Sequence, residues 1–193
     1  MKVRITKDYA LIIVDVQYDS MPGGALPVPD GDRVVPVLNK YIKIFTEKGA
    51  QIVASRDWHP ENHSSFKEYG GIWPSHCVQN THGAMFHSDL QLPENTYIVS
   101  KATHPDKDAY SAFSGTDLAA YLKEKNIKRV FIGGLATDYC VKATVLDAIK
   151  EGFCTFFLED ASKGVDVNKG DVDRAIDEML EHGGIKLTIS DII

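Results

Sequence analysis

The residue with the most reactive side chain is Cys140, in the stretch RVFIGGLATDYCVKATVLDAIK that runs from Arg129 to Lys150. This stretch predicts a buried strand at Val130–Ile132, a break at Gly133–Gly134 and a helix that begins near Thr137–Asp138. Cys140 then falls in the first turn of the helix, where unpaired amide N–H groups and the helix dipole favour a thiolate. The alternative is that Cys140 is a small buried hydrophobic residue, as most cysteines are.

Two further ionisable residues are predicted to reach the same place. Asp15 follows the apolar run Ala10–Val14, and Lys101 follows the run Tyr97–Ser100. The carboxyl ends of parallel strands meet at one edge of a sheet, where ligands bind. A carboxylate at the edge of an apolar core is a better base than one in water, and an ammonium beside it stabilises a thiolate. Asp15, Lys101 and Cys140 are therefore a complete set for nucleophilic catalysis, although a purely structural Asp15–Lys101 ion pair uses the same residues.

A second group of polar side chains lies between Arg56 and Cys77, in RDWHPENHSSFKEYGGIWPSHC. It holds one carboxylate and several imidazoles, from Asp57, His59, His63 and His76. Such a set suits a divalent ion such as zinc, manganese or iron, with positions left open for water or substrate. Polar loop histidines without a metal are the alternative. Trp73 lies in the same segment, and its ring is either part of the core or a stacking wall for a flat substrate.

Short apolar runs alternate with amphipathic segments along the chain, which predicts an α/β fold with an open parallel sheet and helices on both faces. The predicted strands are Ala10–Val14, Gln51–Ala54, Tyr97–Ser100, Val130–Ile132, Phe153–Leu158 and Lys186–Ile189. The predicted helices are Asp30–Lys48, Thr116–Lys125, the Cys140 helix and Asp171–His182. At 193 residues, the chain is expected to form a single domain over residues 1–193.

Composition excludes several classes of partner. The net charge is −6 and no block of Lys and Arg stands out, so neither nucleic acid nor an anionic membrane is expected as a partner. No apolar run approaches the length of a membrane span, and the N-terminus does not resemble a secretory signal. The three cysteines show no CxxC spacing, which is typical of free thiols in a reducing compartment. We therefore expect a cytoplasmic protein with a small-molecule substrate; a homo-oligomer is compatible with the sequence.

Five segments resemble the nicotinamidases, a family of isochorismatase-like cysteine hydrolases. They are DVQ at Asp15–Gln17, PGGALPVP at Pro22–Pro29, RDWHPENHSSF at Arg56–Phe66, WPSHCVQNTHGA at Trp73–Ala84 and GGLATDYCVKATVLDA at Gly133–Ala148. The resemblance covers about Ala10 to Asp160. It implies a three-layer fold with a six-stranded, mostly parallel sheet between helices. It also implies hydrolysis of nicotinamide to nicotinate and ammonia through a cysteine thioester, a step of NAD salvage.

The resemblance also implies roles for individual residues. The catalytic triad is Asp15, Lys101 and Cys140. One divalent metal, with zinc expected and iron or manganese as alternatives, is held by Asp57, His59 and His76, and His63 matches a position that is a further ligand in some members. A cis peptide between Leu135 and Ala136 directs the Ala136 N–H, with that of Cys140, at the oxyanion. The expected substrate contacts are Gln17, Trp73, Tyr110, Leu135 and Ala136.

One departure concerns the substrate pocket. The family usually reads D-x-Q-x-D-F, whereas Asp15–Ser20 reads DVQYDS, so Ser20 replaces an aromatic wall. Compensation is predicted from Tyr18, Tyr110, Phe113 or Trp73. One alternative function is another amidohydrolase of the superfamily, acting on a carbamoyl or ureido compound; such enzymes generally lack the DxH…H ligands. The other is a non-catalytic metal or thiol redox protein, for which neither Cys77 nor Cys154 is an obvious resolving cysteine.

Overall fold

The computed structural model describes residues 1–193 and contains one six-stranded sheet whose neighbouring strands are all parallel. Its strands are β1 (Tyr9–Val14), β2 (Gln51–Asp57), β3 (Tyr97–Lys101), β4 (Arg129–Leu135), β5 (Cys154–Lys163) and β6 (Ile185–Leu187). Their order across the sheet is β3-β2-β1-β4-β5-β6. Every residue of β1 is buried, as its unbroken apolar run predicts for a strand covered on both faces.

Helices cover both faces of the sheet, which confirms the predicted three-layer α/β fold. They are α1 (Val34–Glu47), α2 (Leu118–Glu124), α3 (Lys142–Lys150) and α4 (Asp171–Glu181). The core on one face contains Leu38 and Phe45 of α1, and the core on the other contains Leu118, Val145 and Met179 of the remaining helices. None of the helices has the length and hydrophobicity that a bilayer crossing requires.

The chain reverses its direction across the sheet at β1. From β1 it proceeds outward to β2 and β3, and it then returns to place β4 against the other side of β1. In open parallel sheets, ligands bind in the crevice beyond the carboxyl ends of the two strands at such a reversal. The segments that follow β1 and β4 therefore border the expected site.

The predicted break at Gly133–Gly134 is wrong, because β4 continues through both glycines to Leu135. Gly134 has φ of 127°, and a Cβ at this position would lie 2.2 Å from the carbonyl oxygen of Val14 in β1. Glycine is thus required by the close approach of two strands rather than by a turn. After Ala136, a five-residue π-helical turn (Thr137–Val141) leads into α3 and carries Cys140.

Candidate active site

The structure brings Asp15, Lys101 and Cys140 together at the carboxyl edge of the sheet. Asp15 directly follows β1, Lys101 is the last residue of β3, and Cys140 lies in the π-helical turn after β4. Lys101 Nζ lies 2.9 Å from Asp15 Oδ2 and 3.5 Å from Cys140 Sγ. All three residues are buried, so a base, a cation and a thiol are in contact where little water screens their charges.

Asp15 has one carboxylate oxygen anchored and one free of hydrogen bonds. The Ser55 hydroxyl donates to Oδ1 at 2.7 Å. Oδ2 receives no hydrogen bond of good geometry, although Lys101 Nζ approaches it as an ion contact. Burial raises the pKa of Asp15, and Lys101 opposes this only in part. An Asp15 carboxylate oxygen lies within 4.8 Å of Cys140 Sγ, so Asp15 is placed to accept a proton from the thiol.

Cys140 lies in the turn after β4, as predicted, but its burial opposes the thiolate that this position favours. Burial raises the pKa of the Cys140 thiol well above its usual value; Lys101 lowers it, and the Asp15 and Asp57 carboxylates raise it further. The helix-start argument considered only local backbone dipoles, whereas desolvation by the surrounding fold has the larger effect here. A base close to the sulfur, such as Asp15, would therefore assist the removal of its proton.

A metal-binding set adjoins this group. One ligand atom each of Asp57, His59 and His76 lies within 4.8 Å of the others. His59 Nδ1 lies 2.9 Å from the His76 carbonyl oxygen and His76 Nδ1 lies 2.8 Å from that of Pro74. A carbonyl only accepts, so Nδ1 of both rings carries the proton and Nε2 keeps the lone pair that binds a metal.

The charges of this set also suit a divalent cation. Burial lowers the pKa of His59 to about 4, so its ring is neutral near pH 7. Burial alone would raise the pKa of Asp57, but Lys101 and the two histidines hold it below its usual value. One carboxylate and two imidazoles fit zinc, iron or manganese, with coordination positions left for water or substrate.

His63 lies close to this set but is engaged elsewhere. Its Nε2 lies 3.1 Å from the carbonyl oxygen of Lys107, and its Nδ1 accepts the Ser65 N–H at 3.2 Å and contacts the Ser65 hydroxyl at 2.7 Å. Although ligand atoms of His59, His63 and Asp108 also approach within 4.8 Å, both ring nitrogens of His63 are thus occupied. The geometry therefore favours Asp57, His59 and His76 as the metal ligands. His63 instead contacts the backbone of the loop at Lys107.

A cavity opens beside the thiol and the metal set, and it is lined mainly by apolar and aromatic groups. Four of the predicted substrate contacts line it, namely Trp73, Tyr110, Leu135 and Ala136. The Trp73 indole N–H donates to the Tyr110 hydroxyl at 3.0 Å, and Tyr139 packs edge-on against Trp73. A cavity bordered by aromatic rings, with a thiol and polar ligands at its base, suits a flat heteroaromatic ring that carries a carbonyl group.

Other walls of the cavity were not predicted. Leu26, Val28, Tyr139 and Val165 line it. The first two lie in the PGGALPVP segment, and Tyr139 immediately precedes Cys140, so sequence position could have indicated these three. Val165 follows β5 and carries no such signal. Ser20 also lines the cavity, at the position where the resemblance leads us to expect an aromatic side chain.

Three predicted pocket residues lie elsewhere. Gln17 does not line the cavity: its amide donates to the carbonyl oxygens of Asp57 at 2.8 Å and Ala84 at 2.9 Å, and its Oε1 accepts the Asp57 N–H at 2.9 Å. The Gln17 side chain is fully buried, and its amide satisfies backbone N–H and carbonyl groups that have no strand partner there. Tyr18 stacks on His82, and Phe113 packs against Phe153, so neither compensates for Ser20.

The turn after β4 agrees with the resemblance. The Leu135–Ala136 peptide is cis, and both Ala136 and Cys140 line the cavity. Both residues therefore form part of the cavity wall that also contains the thiol.

Comparison with known proteins gives a consistent set of relatives. Residues 9–191 match the isochorismatase domain family. A nicotinamidase of Escherichia coli is 38% identical over 203 residues, which cover 94% of this chain and 95% of that protein. The crystal structure of a Pyrococcus horikoshii pyrazinamidase in complex with zinc is 57% identical, with a TM-score of 0.91 over 94% of this chain and 99% of that one. The crystal structure of PnC1 from L. infantum in complex with nicotinate is 33% identical, with a TM-score of 0.91 over 100% and 99% of the two chains.

Proposed function

The chain belongs to the isochorismatase domain family, and on that premise we propose that it hydrolyses the amide C–N bond of nicotinamide, giving nicotinate and ammonia. The observation that carries the proposal is the contact of Lys101 Nζ with Asp15 at 2.9 Å and with Cys140 at 3.5 Å, beside a three-ligand metal set and an aromatic cavity. The likeness to a nicotinamidase and to a nicotinate-bound structure supports this choice of substrate.

In the first half of the reaction, Asp15 Oδ2 takes the Cys140 proton and the sulfur attacks the carbonyl carbon of the amide. Lys101 offsets the negative charge that the sulfur, Asp15 and Asp57 share. The Ala136 and Cys140 amide groups stabilise the tetrahedral oxyanion, and one such donor contributes about 2.7–4 kcal/mol in comparable sites. Asp15 then returns the proton to the departing nitrogen, so that ammonia leaves and a thioester remains.

In the second half, water hydrolyses the thioester. Asp15 takes a proton from the water as its oxygen attacks the thioester carbon, and the carbon–sulfur bond breaks. The sulfur regains a proton and nicotinate is released. The raised pKa of Asp15 matches this double use, because the same group must accept and donate protons near neutral pH.

The metal set orients the substrate rather than the nucleophile. Asp57, His59 and His76 would hold a divalent ion, which would supply a Lewis acid for the pyridine nitrogen of the substrate. The zinc in the Pyrococcus horikoshii structure supports zinc as that ion. Trp73 and Cys140 line the same cavity, so a substrate ring packed against the indole would have its carboxamide within reach of the thiol. Holding the reacting atoms in this way accounts for part of the rate enhancement.

The test is product identification after incubation with nicotinamide, with Cys140→Ala and Cys154→Ala compared. Cys140→Ala should release no ammonia yet keep its metal content, whereas Cys154→Ala, which changes an exposed cysteine, should match the wild type. Residual ammonia release above a few per cent in Cys140→Ala contradicts the nucleophile assignment. Loss of turnover on adding a chelator separates this proposal from a carbamoyl or ureido amidohydrolase without a metal, and peroxide consumption tests a thiol redox function.

The same proposal places the protein in the cytoplasm as an enzyme of NAD salvage. All three cysteines are unpaired, two of them buried, which suits a reducing compartment.

A further inference from the structure

One peptide group joins the two histidines of the metal set. The carbonyl of the His76–Cys77 peptide accepts the Nδ1–H of His59 at 2.9 Å. The N–H of the same peptide donates to Asp19 Oδ2 at 2.7 Å. The orientation of this peptide therefore affects both the position of the His76 side chain and the orientation of the His59 ring.

Asp19 also holds the wall of the cavity. Its Oδ1 accepts the Ala25 N–H at 3.2 Å, and its backbone carbonyl accepts the Leu26 N–H at 2.9 Å. Leu26 lines the cavity. One residue therefore connects the segment after β1 both to the loop that carries His76 and to the wall of the cavity.

The surroundings of Asp19 are shaped to admit its carboxylate. A Cβ at Gly83 would lie 2.1 Å from Asp19 Oδ2, a distance that no side chain tolerates. Cys77, whose N–H the carboxylate receives, has φ of 46°, in the left-handed region that non-glycine residues rarely adopt. A carboxylate bond to its N–H stabilises that backbone conformation, because hydrogen bonds to a charged acceptor are stronger than neutral ones.

We propose that Asp19 is a positioning residue of the metal site, which fixes the His76–Cys77 peptide and through it aims the Nε2 atoms of His59 and His76 at the ion. The charged acceptor polarises the peptide and makes its carbonyl a better acceptor for the His59 Nδ1–H. Such partners of metal ligands set ring orientation and ligand basicity, and their loss costs about 10–100-fold in metal affinity or activity. The inference rests on the proposed function in its use of Asp57, His59 and His76 as ligands.

The test is the metal affinity of Asp19→Asn, measured on the metal-free full chain by competition with a chelator for Zn²⁺ and for Co²⁺. The amide has nearly the shape of the carboxylate but only one acceptor, so it cannot serve both Cys77 and Ala25. We expect affinity to fall by about 10–100-fold and the visible absorption spectrum of bound Co²⁺ to change. The matched control is Asp160→Asn, which loses the same kind of contacts, with the Tyr41 hydroxyl at 2.9 Å and the Ile189 N–H at 2.8 Å, far from the metal set.

Asp160→Asn should lower the unfolding temperature and leave metal affinity and the Co²⁺ spectrum unchanged. Gly83→Ala gives a second route, because it displaces the Asp19 carboxylate without removing it, and it should reproduce the loss of affinity. If Asp19→Asn does not fold, Gly83→Ala decides the question. Wild-type affinity and an unchanged spectrum in the folded variant overturn the inference. No substrate is present in these measurements, so a failure to hydrolyse nicotinamide is a separate result that concerns only the proposed function.

Discussion

Replacing Lys101 by methionine tests whether the buried ammonium holds the site together. Its side chain is 0% exposed and its Nζ lies 2.5 Å from Asp57 Oδ1 and 2.9 Å from Asp15 Oδ2. Lys101→Met fills similar space but leaves the buried Asp15 carboxylate and the partly buried Asp57 carboxylate without their cation. Removing one partner of a buried ion pair costs about 3–5 kcal/mol. For a chain of this size, with about 2–4 °C per kcal/mol, that is a loss of roughly 6–20 °C in unfolding temperature.

The control is an ion pair of equal length at the surface. Lys123 Nζ lies 2.5 Å from Glu151 Oε2, but these side chains are 54% and 39% exposed. Lys123→Met should therefore cost no more than about 1 kcal/mol. The assay is urea unfolding of the metal-free proteins near neutral pH, and ammonia release is measured in parallel on the metal-loaded proteins. If Lys101→Met destabilises the chain no more than Lys123→Met does, burial is not what makes this ammonium important, and the account of the site fails.

The pH dependence of the Lys101 effect follows from the pKa shifts. Burial alone would lower the pKa of Lys101, but Asp15 and Asp57 hold it well above its usual value. Its contribution is therefore present below an unfolded pKa of about 10.4 and lost as the pH rises through the folded value. The lowered pKa of Asp57 gives a contribution present above an unfolded pKa of about 3.9 and lost as the pH falls further. Because burial raises the pKa of Asp15, the Lys101–Asp15 ion pair forms fully only above that raised pKa. The difference between wild type and Lys101→Met should therefore be greatest from that point up to an unfolded lysine pKa of about 10.4.

Two other variants test the chemistry and the substrate wall. Asp15→Asn cannot take a proton, so kcat/KM should fall by about 10²–10⁴. Since burial raises the pKa of Asp15, wild-type kcat/KM should decline on the acid side at a pH above the ordinary Asp value of 3.8, and this limb should vanish in the variant; its persistence there would assign the limb to another group. Tyr110→Phe keeps the ring but loses the Trp73 bond of 3.0 Å, so KM should rise by about two- to tenfold with kcat unchanged; a fall in kcat alone would argue against a wall that only binds substrate.

The sequence was sufficient to predict that Asp15, Lys101 and Cys140 lie together, because strand ends are recognisable from the chain itself. Asp15 follows an apolar run and Lys101 ends one, and parallel strands bring such positions to one edge. The number and order of βα units then determine the layers of the fold. This reasoning could not predict how closely the backbones of two neighbouring strands approach each other. Gly133 and Gly134 looked like a break, whereas Gly134 is glycine because the carbonyl of Val14 leaves no room for a side chain.

The orientation of the Gln17 side chain and the pKa of Cys140 also could not be predicted from the sequence. Gln17 lies two residues after Asp15 and was expected to contact substrate, but its amide turns inward to bond both the N–H and the carbonyl of Asp57. A polar residue near a site can contact either the ligand or the backbone, and only the fold decides which. The pKa of Cys140 depends likewise on burial by the whole fold, which opposes the effect of the dipoles of its own turn.

The candidate metal set and the proposed nucleophile are parts of one electrostatic unit, because Asp57 belongs to the metal set and also contacts Lys101. Its Oδ1 contacts Lys101, and its Oδ2 lies 4.0 Å from His76 Nε2. A cation held at Oδ2 and the ammonium at Oδ1 thus act on the same carboxylate, and the ammonium in turn balances Asp15 and the sulfur. Changing Asp57 must therefore disturb metal binding and thiol chemistry together. A change at His59, which contacts no member of the triad by hydrogen bond, separates the two, because it removes a ligand and leaves the Lys101 contacts intact.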